Sequence, residues 1–89
     1  MRVRVLVRLK PGIMDVQGAA IQRALAGLGF GDVADLRVGK VIEVDVPGDS
    51  VDAARRRVDE MCRKLLVNPI LEDYIVEPVA DLAAPRTGR

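Results

Sequence analysis

RVRVLVRLK, the stretch of residues 2–10, decides the fold because it alternates apolar and basic side chains over most of its length. A period of two is typical of a β-strand with one buried face, since successive side chains point to opposite sides of a sheet. One face carries Val3, Val5, Val7 and Leu9, and the other carries Arg2, Arg4, Leu6, Arg8 and Lys10. The chain is therefore predicted to begin with a strand that needs an apolar layer on one side.

A first helix is predicted over about residues 15–28, after Pro11 and Gly12 have ended the strand. Asp15 is a plausible N-cap, and Gly29 stands where a left-handed C-cap belongs. The spacing of the apolar residues places one stripe on this helix, which we expect to face the sheet. The stripe consists of Ile21, Ala24, Leu25 and Leu28.

A second helix is predicted from Asp49 or Ser50 to about residue 67, and Asn68 with Pro69 ends it. Acidic and basic side chains alternate at a spacing of four residues along its exposed side, which supports the helix. Its apolar side, which we also expect to cover the sheet, carries Val51, Ala54, Val58, Met61, Cys62 and Leu65.

Three more strands are predicted, over about residues 32–38, 41–46 and 70–77. The order β-α-β-β-α-β predicts an α+β two-layer sandwich with a mainly antiparallel four-stranded sheet and two helices on one of its faces. Residues 1–80 form one domain in this interpretation. Residues 81–89 show no periodic pattern and are predicted to form a flexible C-terminal tail.

The helix-free face of the sheet combines the arginines of the first strand with Glu43 and Asp45. Leu6 and Val41 lie among these charges, and such a mixture suits a polar protein–protein interface. A solvated sheet face has the same composition. Both interpretations stay open on composition alone.

Composition excludes several classes of function. The chain has no histidine and only one cysteine, so a Cys–His pair or a zinc site is excluded, and no phosphate-binding glycine motif occurs. A net charge of +1 and only two aromatic residues, Phe30 and Tyr74, argue against nucleic-acid binding. Cys62 falls on an apolar helix face and is interpreted as a buried, inert side chain. We therefore expect no catalysis by this chain alone.

The sequence also indicates where the protein works. Its apolar runs are too short to span a membrane, and it begins with a strand pattern rather than an apolar signal core. A single cysteine fits a reducing compartment. We expect a cytoplasmic protein without membrane contact.

A series of short motifs resembles the PurS family, the small subunits of phosphoribosylformylglycinamidine synthase in purine biosynthesis. Singly, each motif is explained by a cap, a hairpin or a helix stop; together they follow the order and spacing of the family from residue 1 to about 79. The family commonly has D-P-Q-G where this chain has Val16 in place of the proline, which changes a helix preference. The motifs are LKPG (9–12), DVQG (15–18), VGK (38–40), CRKLLVNP (62–69) and ILEDY (70–74).

The resemblance implies a subunit that is not the catalyst and that binds no cofactor of its own. In this family a large synthetase subunit binds ATP, magnesium and formylglycinamide ribonucleotide, and a glutaminase subunit releases ammonia from glutamine. The small subunit forms dimers, or larger self-assemblies, that bridge these two partners so that ammonia passes between their sites.

The family motifs also suggest which side chains meet the partners. The resemblance implies contacts at the predicted hairpin and around the last strand, with Asp15, Gln17 and Gly18 marking the family's helix start. Tyr74 is the only tyrosine, and an aromatic ring with a polar tip is a favoured interface anchor. The candidate contact residues are Arg37, Gly39, Lys40, Asn68, Glu72, Asp73 and Tyr74.

Two other functions are compatible with the same element order. A free-standing domain that senses a small ligand, such as an amino acid, would use a glycine-bearing loop, for which Pro11 and Gly12 are a weak candidate. A small enzyme that uses carboxylates is a more distant alternative, because no pair of acidic residues stands out.

Overall fold

A computed structural model describes residues 1–79 and contains two helices and one antiparallel sheet, so the predicted α+β class is confirmed. The predicted tail, residues 81–89, lies outside the described residues. None of the helices within residues 1–79 is both long and apolar enough to cross a membrane. The elements are β1 (Arg2–Leu9), α1 (Val16–Gly27), β2 (Gly39–Asp45), α2 (Val51–Met61), a π-helical turn (Cys62–Leu66) and β3 (Glu72–Val79).

The sheet has three strands in the order β2-β1-β3, with β1 in the centre and antiparallel to both neighbours. Leu6 marks the middle of the register, since it lies opposite Val41 on one side and Ile75 on the other. The alternation predicted for β1 is confirmed, because Val3, Val5 and Val7 are buried.

The predicted four-stranded sheet is wrong, because residues 32–38 do not form a strand. Side chains from the start and middle of the α1 region form hydrogen bonds with the backbone of this segment. In a strand, those N–H and carbonyl groups would bind a neighbouring strand instead. Gln22 donates a hydrogen bond to the carbonyl of Val33 at 2.9 Å, and the N–H of Val38 donates to Asp15 at 2.8 Å. The segment therefore runs along α1 and adds no fourth strand at the edge of β2 or β3.

The core lies between the sheet and α2. Ala54 and Val58 of α2 and Cys62 of the following turn are buried against β1. Ser50 caps the helix by accepting a hydrogen bond from the N–H of Ala53 at 3.2 Å. These contacts confirm the centre of the apolar face that the sequence predicts.

The end of that face differs from the prediction. The chain leaves the α-helix after Met61 and makes a π-helical turn, which turns Leu65 outwards and leaves it 83% exposed. Val67 is buried instead. The wider turn shifts the angular position of the last side chains, so a constant helical period no longer identifies the buried ones.

The predicted burial of the α1 stripe is also wrong. Gly18 is the one buried residue of α1, whereas Ile21 is 38% and Leu28 is 73% exposed. Polar contacts with residues 32–38 hold the helix in place. Within residues 1–79, only α2 and its π-helical turn cover the sheet with buried helical side chains.

Candidate partner-binding site

Five of the seven predicted contact residues meet at one end of the sheet. The antiparallel register brings the last residues of β1 beside the first residues of both β2 and β3. We call this region the motif end; it comprises Leu9 and Lys10, residues 37–40, and Glu72 with Asp73. The candidates found there are Arg37, Gly39, Lys40, Glu72 and Asp73.

Asp15 connects the start of α1 to the motif end. One carboxylate oxygen accepts a hydrogen bond from the N–H of Gly18, and the other accepts one from the N–H of Val38, both at 2.8 Å. The Nε of Arg37 lies 3.7 Å away. The hydrogen bond from Val38, then that from Gly18, and the charge of Arg37 hold the pKa of Asp15 below its usual value. The predicted N-cap is confirmed, and the same side chain also positions residues 37 and 38.

Two motif glycines are needed because backbone groups approach them closely. A Cβ atom on Gly18 would lie 2.7 Å from the carbonyl oxygen of Leu36, and one on Gly39 would lie 2.6 Å from that of Val7. Both distances are shorter than a carbon–oxygen contact allows, and a backbone carbonyl cannot move aside as a flexible side chain would. These glycines therefore shape the motif end.

Asn68 and Glu72 build the turn that leads into β3. The side-chain oxygen of Asn68 accepts a hydrogen bond from the N–H of Ile70 at 3.0 Å. A carboxylate oxygen of Glu72 accepts one from the N–H of Asn68 at 2.8 Å, and the other lies 3.9 Å from the Nζ of Lys40. The turn is thus fixed by its own side chains and joined to β2 by a charge contact.

The remaining polar groups of the motif end face solvent. The Nζ of Lys10 lies 2.8 Å from Asp73, and Arg37 donates a hydrogen bond to the carbonyl of Leu9 at 3.1 Å. The side chains of Lys40 and Asp73 are each more than half exposed. Gln17 is exposed at the start of α1 and lines a small depression beside Lys40.

Tyr74 follows Asp73 in β3 and lies on the face of the sheet that α2 covers. It is half-buried opposite Val7, and its hydroxyl donates a hydrogen bond to Asp59 of α2 at 2.5 Å. Asp59 is also paired with Arg63. This geometry gives Tyr74 a structural task between β3 and α2, and its contact with a partner stays a prediction.

The other face of the sheet carries a groove next to the motif end, with a volume of about 590 Å³. Leu6, Val41 and Ile75 form its floor, and Arg8 is among the charged residues at its edge. Sequence reasoning identified Leu6 and Val41 on this face but missed Ile75. The alternation of Asp73, Ile75 and Glu77 in β3 is the signal that could have found it.

Two observations concern the reactive groups among the described residues. No cluster of three or more potential metal ligands occurs within residues 1–79. Cys62 is fully buried, and burial raises the pKa of its thiol, which makes it a poor nucleophile. The exposed polar groups of the motif end suit recognition of a protein surface.

Comparisons with known proteins identify the family of this chain. The PurS family model, described as phosphoribosylformylglycinamidine (FGAM) synthase, matches residues 2–80. The chain is 37% identical over 76 residues to the PurS subunit of that enzyme from Methanocaldococcus jannaschii, covering 85% of this chain and 92% of the relative. It is 41% identical over 76 residues to the Bacillus subtilis PurS subunit, covering 85% and 89%.

Solved structures of PurS subunits share the fold. The crystal structure of Methanocaldococcus jannaschii PurS matches with a TM-score of 0.77 at 36% identity, covering 85% of this chain and 92% of that one. The Thermotoga maritima subunit matches with a TM-score of 0.78 at 32% identity, covering 85% and 87%. The chain therefore belongs to the PurS family, the small subunits of phosphoribosylformylglycinamidine synthase in purine biosynthesis.

Proposed function

We propose that this subunit pairs with further copies of itself and holds the glutaminase and synthetase subunits of the cytoplasmic enzyme together. In this role it catalyses no step. Ammonia released by the glutaminase would reach the synthetase site without escaping to water, because the two active sites are kept in register. The family match does not support the alternative of a free-standing ligand-sensing domain.

The observation that carries the proposal is the convergence of separate family motifs at the motif end. Internal contacts use Asp15, Gly18, Gly39 and Asn68 to shape this region. The side chains left exposed beside them include Lys40 and Asp73, which carry opposite charges. A rigid surface with exposed polar groups of both signs supports specific docking of a protein partner.

The proposal places the chemistry on the partner subunits. ATP and magnesium are assigned to the large synthetase subunit, and no cofactor is assigned to this chain. Two carboxylates in or beside the motif end support this division, because Asp15 and Glu72 each accept a hydrogen bond from a backbone N–H of the same chain. They are therefore already engaged in maintaining the fold.

Reconstitution of the three subunits tests the proposal. Glutamine-dependent formation of formylglycinamidine ribonucleotide should require this chain, whereas the reaction supplied with free ammonia should proceed on the synthetase without it. Lys40→Glu should weaken capture of the partners and lower the glutamine-dependent rate. Arg57→Glu, at an exposed basic residue of α2 outside the family motifs, is the control and should change neither.

Two results would contradict the proposal. The bridging role fails if glutaminase and synthetase couple fully without this chain. The assignment to the motif end fails if the glutamine-dependent reaction requires this chain but the Lys40→Glu variant captures the partners and supports the reaction as well as the wild type does.

A further inference from the structure

Two apolar side chains project into solvent on either side of the buried Val67. Leu65, in the π-helical turn, is 83% exposed, and Ile70, in the turn that leads into β3, is 78% exposed. Pro69 beside Ile70 is exposed as well. We call Leu65, Pro69 and Ile70 the apolar tip. Scattered apolar residues are common on protein surfaces, so exposure alone does not make the tip a binding site.

The π-helical turn is the reason that Leu65 lies outside. Leu65 follows Cys62 by three residues and Val58 by seven, so a regular α-helix would place it on their buried side. The turn instead brings Val67 into the core. Burial of the larger leucine would remove more apolar surface from water, so the exchange does not serve the core. π-helical turns are rare and frequently occur at functional sites, and here the turn presents Leu65 to solvent.

Hydrogen bonds within the chain fix the turn that carries Ile70. The N–H of Ile70 donates to the side-chain oxygen of Asn68 at 3.0 Å. The N–H groups of Leu71 and Glu72 both donate to the carbonyl of Asn68, at 3.2 and 2.8 Å. Ile70 is therefore held outwards by a preorganised turn, and such a turn loses little conformational freedom when a partner binds.

The charged side chains just before Leu65 are paired within the chain. Arg63 forms an ion pair with Asp59, one helical turn earlier. Lys64 forms another with Glu60, at 3.0 Å. Because these four charges cancel, the surface that receives the tip is expected to be apolar rather than acidic or basic.

The tip is too small to hold a partner by itself, and its surface continues to the motif end. Leu65 and Ile70 each offer roughly 100 Å² of apolar surface, whereas a standard stable interface buries about 800 Å² per partner. The carboxylate of Glu72 joins the two regions. One of its oxygens accepts a hydrogen bond from the N–H of Asn68 at 2.8 Å, and the other lies 3.9 Å from the Nζ of Lys40.

We infer that the apolar tip enters an apolar pocket on the same partner subunit that contacts Lys40. One protein, the glutaminase or the synthetase, then covers the tip and the motif end together. The tip supplies the apolar anchor of this contact, and the exposed charges of Lys40 and Asp73 supply its polar rim. The inference rests on the proposed function and adds the chemistry that the partner presents.

A second copy of this chain fits the tip less well. Two tips placed face to face would bury only their own small area on each copy. The hollow beside α1, which has a volume of about 360 Å³ and includes Arg23 and Phe30, is a concave alternative. A tip inserted there would join unlike surfaces, and such contacts continue from copy to copy into rings or filaments. A partner of different sequence is therefore the occupant that we expect.

Leu65→Ser tests the anchor. Equilibrium binding of the full chain to the purified glutaminase and to the purified synthetase is measured with glutamine, ATP and magnesium present. The serine variant should bind one of the two about tenfold more weakly, because the burial of a leucine side chain is lost. Leu65→Met should bind within about threefold of the wild type, since methionine fills an apolar pocket of similar size.

Two further variants make the experiment specific. Leu28→Ser is the matched control, because Leu28 is another exposed leucine, at 73%, outside the tip, and binding should be unchanged. Lys40→Glu is measured in parallel and should weaken binding to the same subunit as Leu65→Ser does. Thermal unfolding is recorded for every variant, and Leu65→Ser should melt as the wild type does because its side chain is outside the core.

The outcomes separate this inference from the proposed function. If Leu65→Ser binds both subunits as the wild type does while Lys40→Glu does not, the tip is no part of the docking surface and the bridging role stands. If the two variants lose different subunits, the continuity of tip and motif end is wrong. If Leu65→Ser changes only self-association in sedimentation velocity, the occupant is a second copy and the inference is overturned. If the wild type binds neither subunit, the proposed function fails and the inference fails with it.

Discussion

Gly18→Ala is the substitution that most directly tests how α1 is held to the chain. In an exposed helix, alanine in place of glycine stabilises by about 1 kcal/mol, because it restricts the unfolded backbone. Gly18 is the one buried residue of α1, so this general expectation competes with local crowding.

The distances decide which effect is larger. A Cβ atom on Gly18 would lie 2.6 Å from a carboxylate oxygen of Asp15 and 2.7 Å from the carbonyl oxygen of Leu36. Overpacking of this kind costs about 1–3 kcal/mol, because the neighbouring backbone has to move. The displacement would also disturb the hydrogen bonds that Asp15 accepts. We expect a net loss of about 1 kcal/mol in the stability of α1.

Gly27 provides a matched control in the same helix. A Cβ atom there meets no atom within 4 Å, so Gly27→Ala should stabilise α1 by about 0.5 kcal/mol. Hydrogen exchange of the α1 amides measures both effects locally, and urea unfolding followed by circular dichroism measures them for the whole domain. The reasoning is refuted if Gly18→Ala protects the α1 amides as Gly27→Ala does.

Three other contacts give testable expectations. Asp15→Asn should reduce the loss of stability in acid. Because the pKa of Asp15 is lowered in the fold, its carboxylate stabilises the fold above the ordinary value of 3.8, and this stabilisation is lost as pH falls through the folded pKa. Urea midpoints at neutral and acidic pH measure the effect, and an equal change of the midpoint with pH in both proteins would contradict it. Tyr74→Phe removes the hydrogen bond to Asp59 and should cost about 1 kcal/mol, seen as a melting temperature lower by about 4–8 °C; an unchanged melting temperature would show that the bond contributes nothing. The thiol of Cys62 should react with a disulfide reagent only as fast as the protein opens, and immediate stoichiometric labelling of the native protein would disagree with its burial.

The central strand and the second helix could be predicted because the sheet and α2 pack directly against each other, so that the apolar residues of each repeat with the period of that element. Val3 and Val5 alternate with side chains that are partly or fully exposed, and Val58 lies one helical turn from Ala54, so each pattern identifies its buried face directly. The π-helical turn at Cys62–Leu66 could not be predicted in this way, because it changes the spacing itself.

Residues 32–38 show why an apolar pattern alone did not establish a strand. Whether such a segment joins a sheet depends on where its backbone hydrogen bonds go. Here Gln22 binds a carbonyl group 11 residues further along the chain, and Asp15 binds an N–H group 23 residues further along. Hydrogen bonds to side chains so far away in the sequence produce no periodic pattern within residues 32–38 that could have indicated them. The α1 stripe was mispredicted for a related reason, since a helical period identifies an apolar face without identifying what lies against it.

The family motifs contain two kinds of residue, and the structure separates them. Gly18 and Gly39 leave room for backbone carbonyl groups of the same chain, and the side chain of Asn68 accepts a hydrogen bond within its own turn. Lys40 and Asp73 have exposed charged groups at the same end of the sheet. Sequence alone ranked all of these residues together, because spacing does not reveal whether a side chain points inwards. Substitutions of the first kind should therefore lower stability and partner binding together. Substitutions of the second kind should lower partner binding at unchanged stability, and this difference is what distinguishes a shaped docking surface from a set of residues needed only for folding.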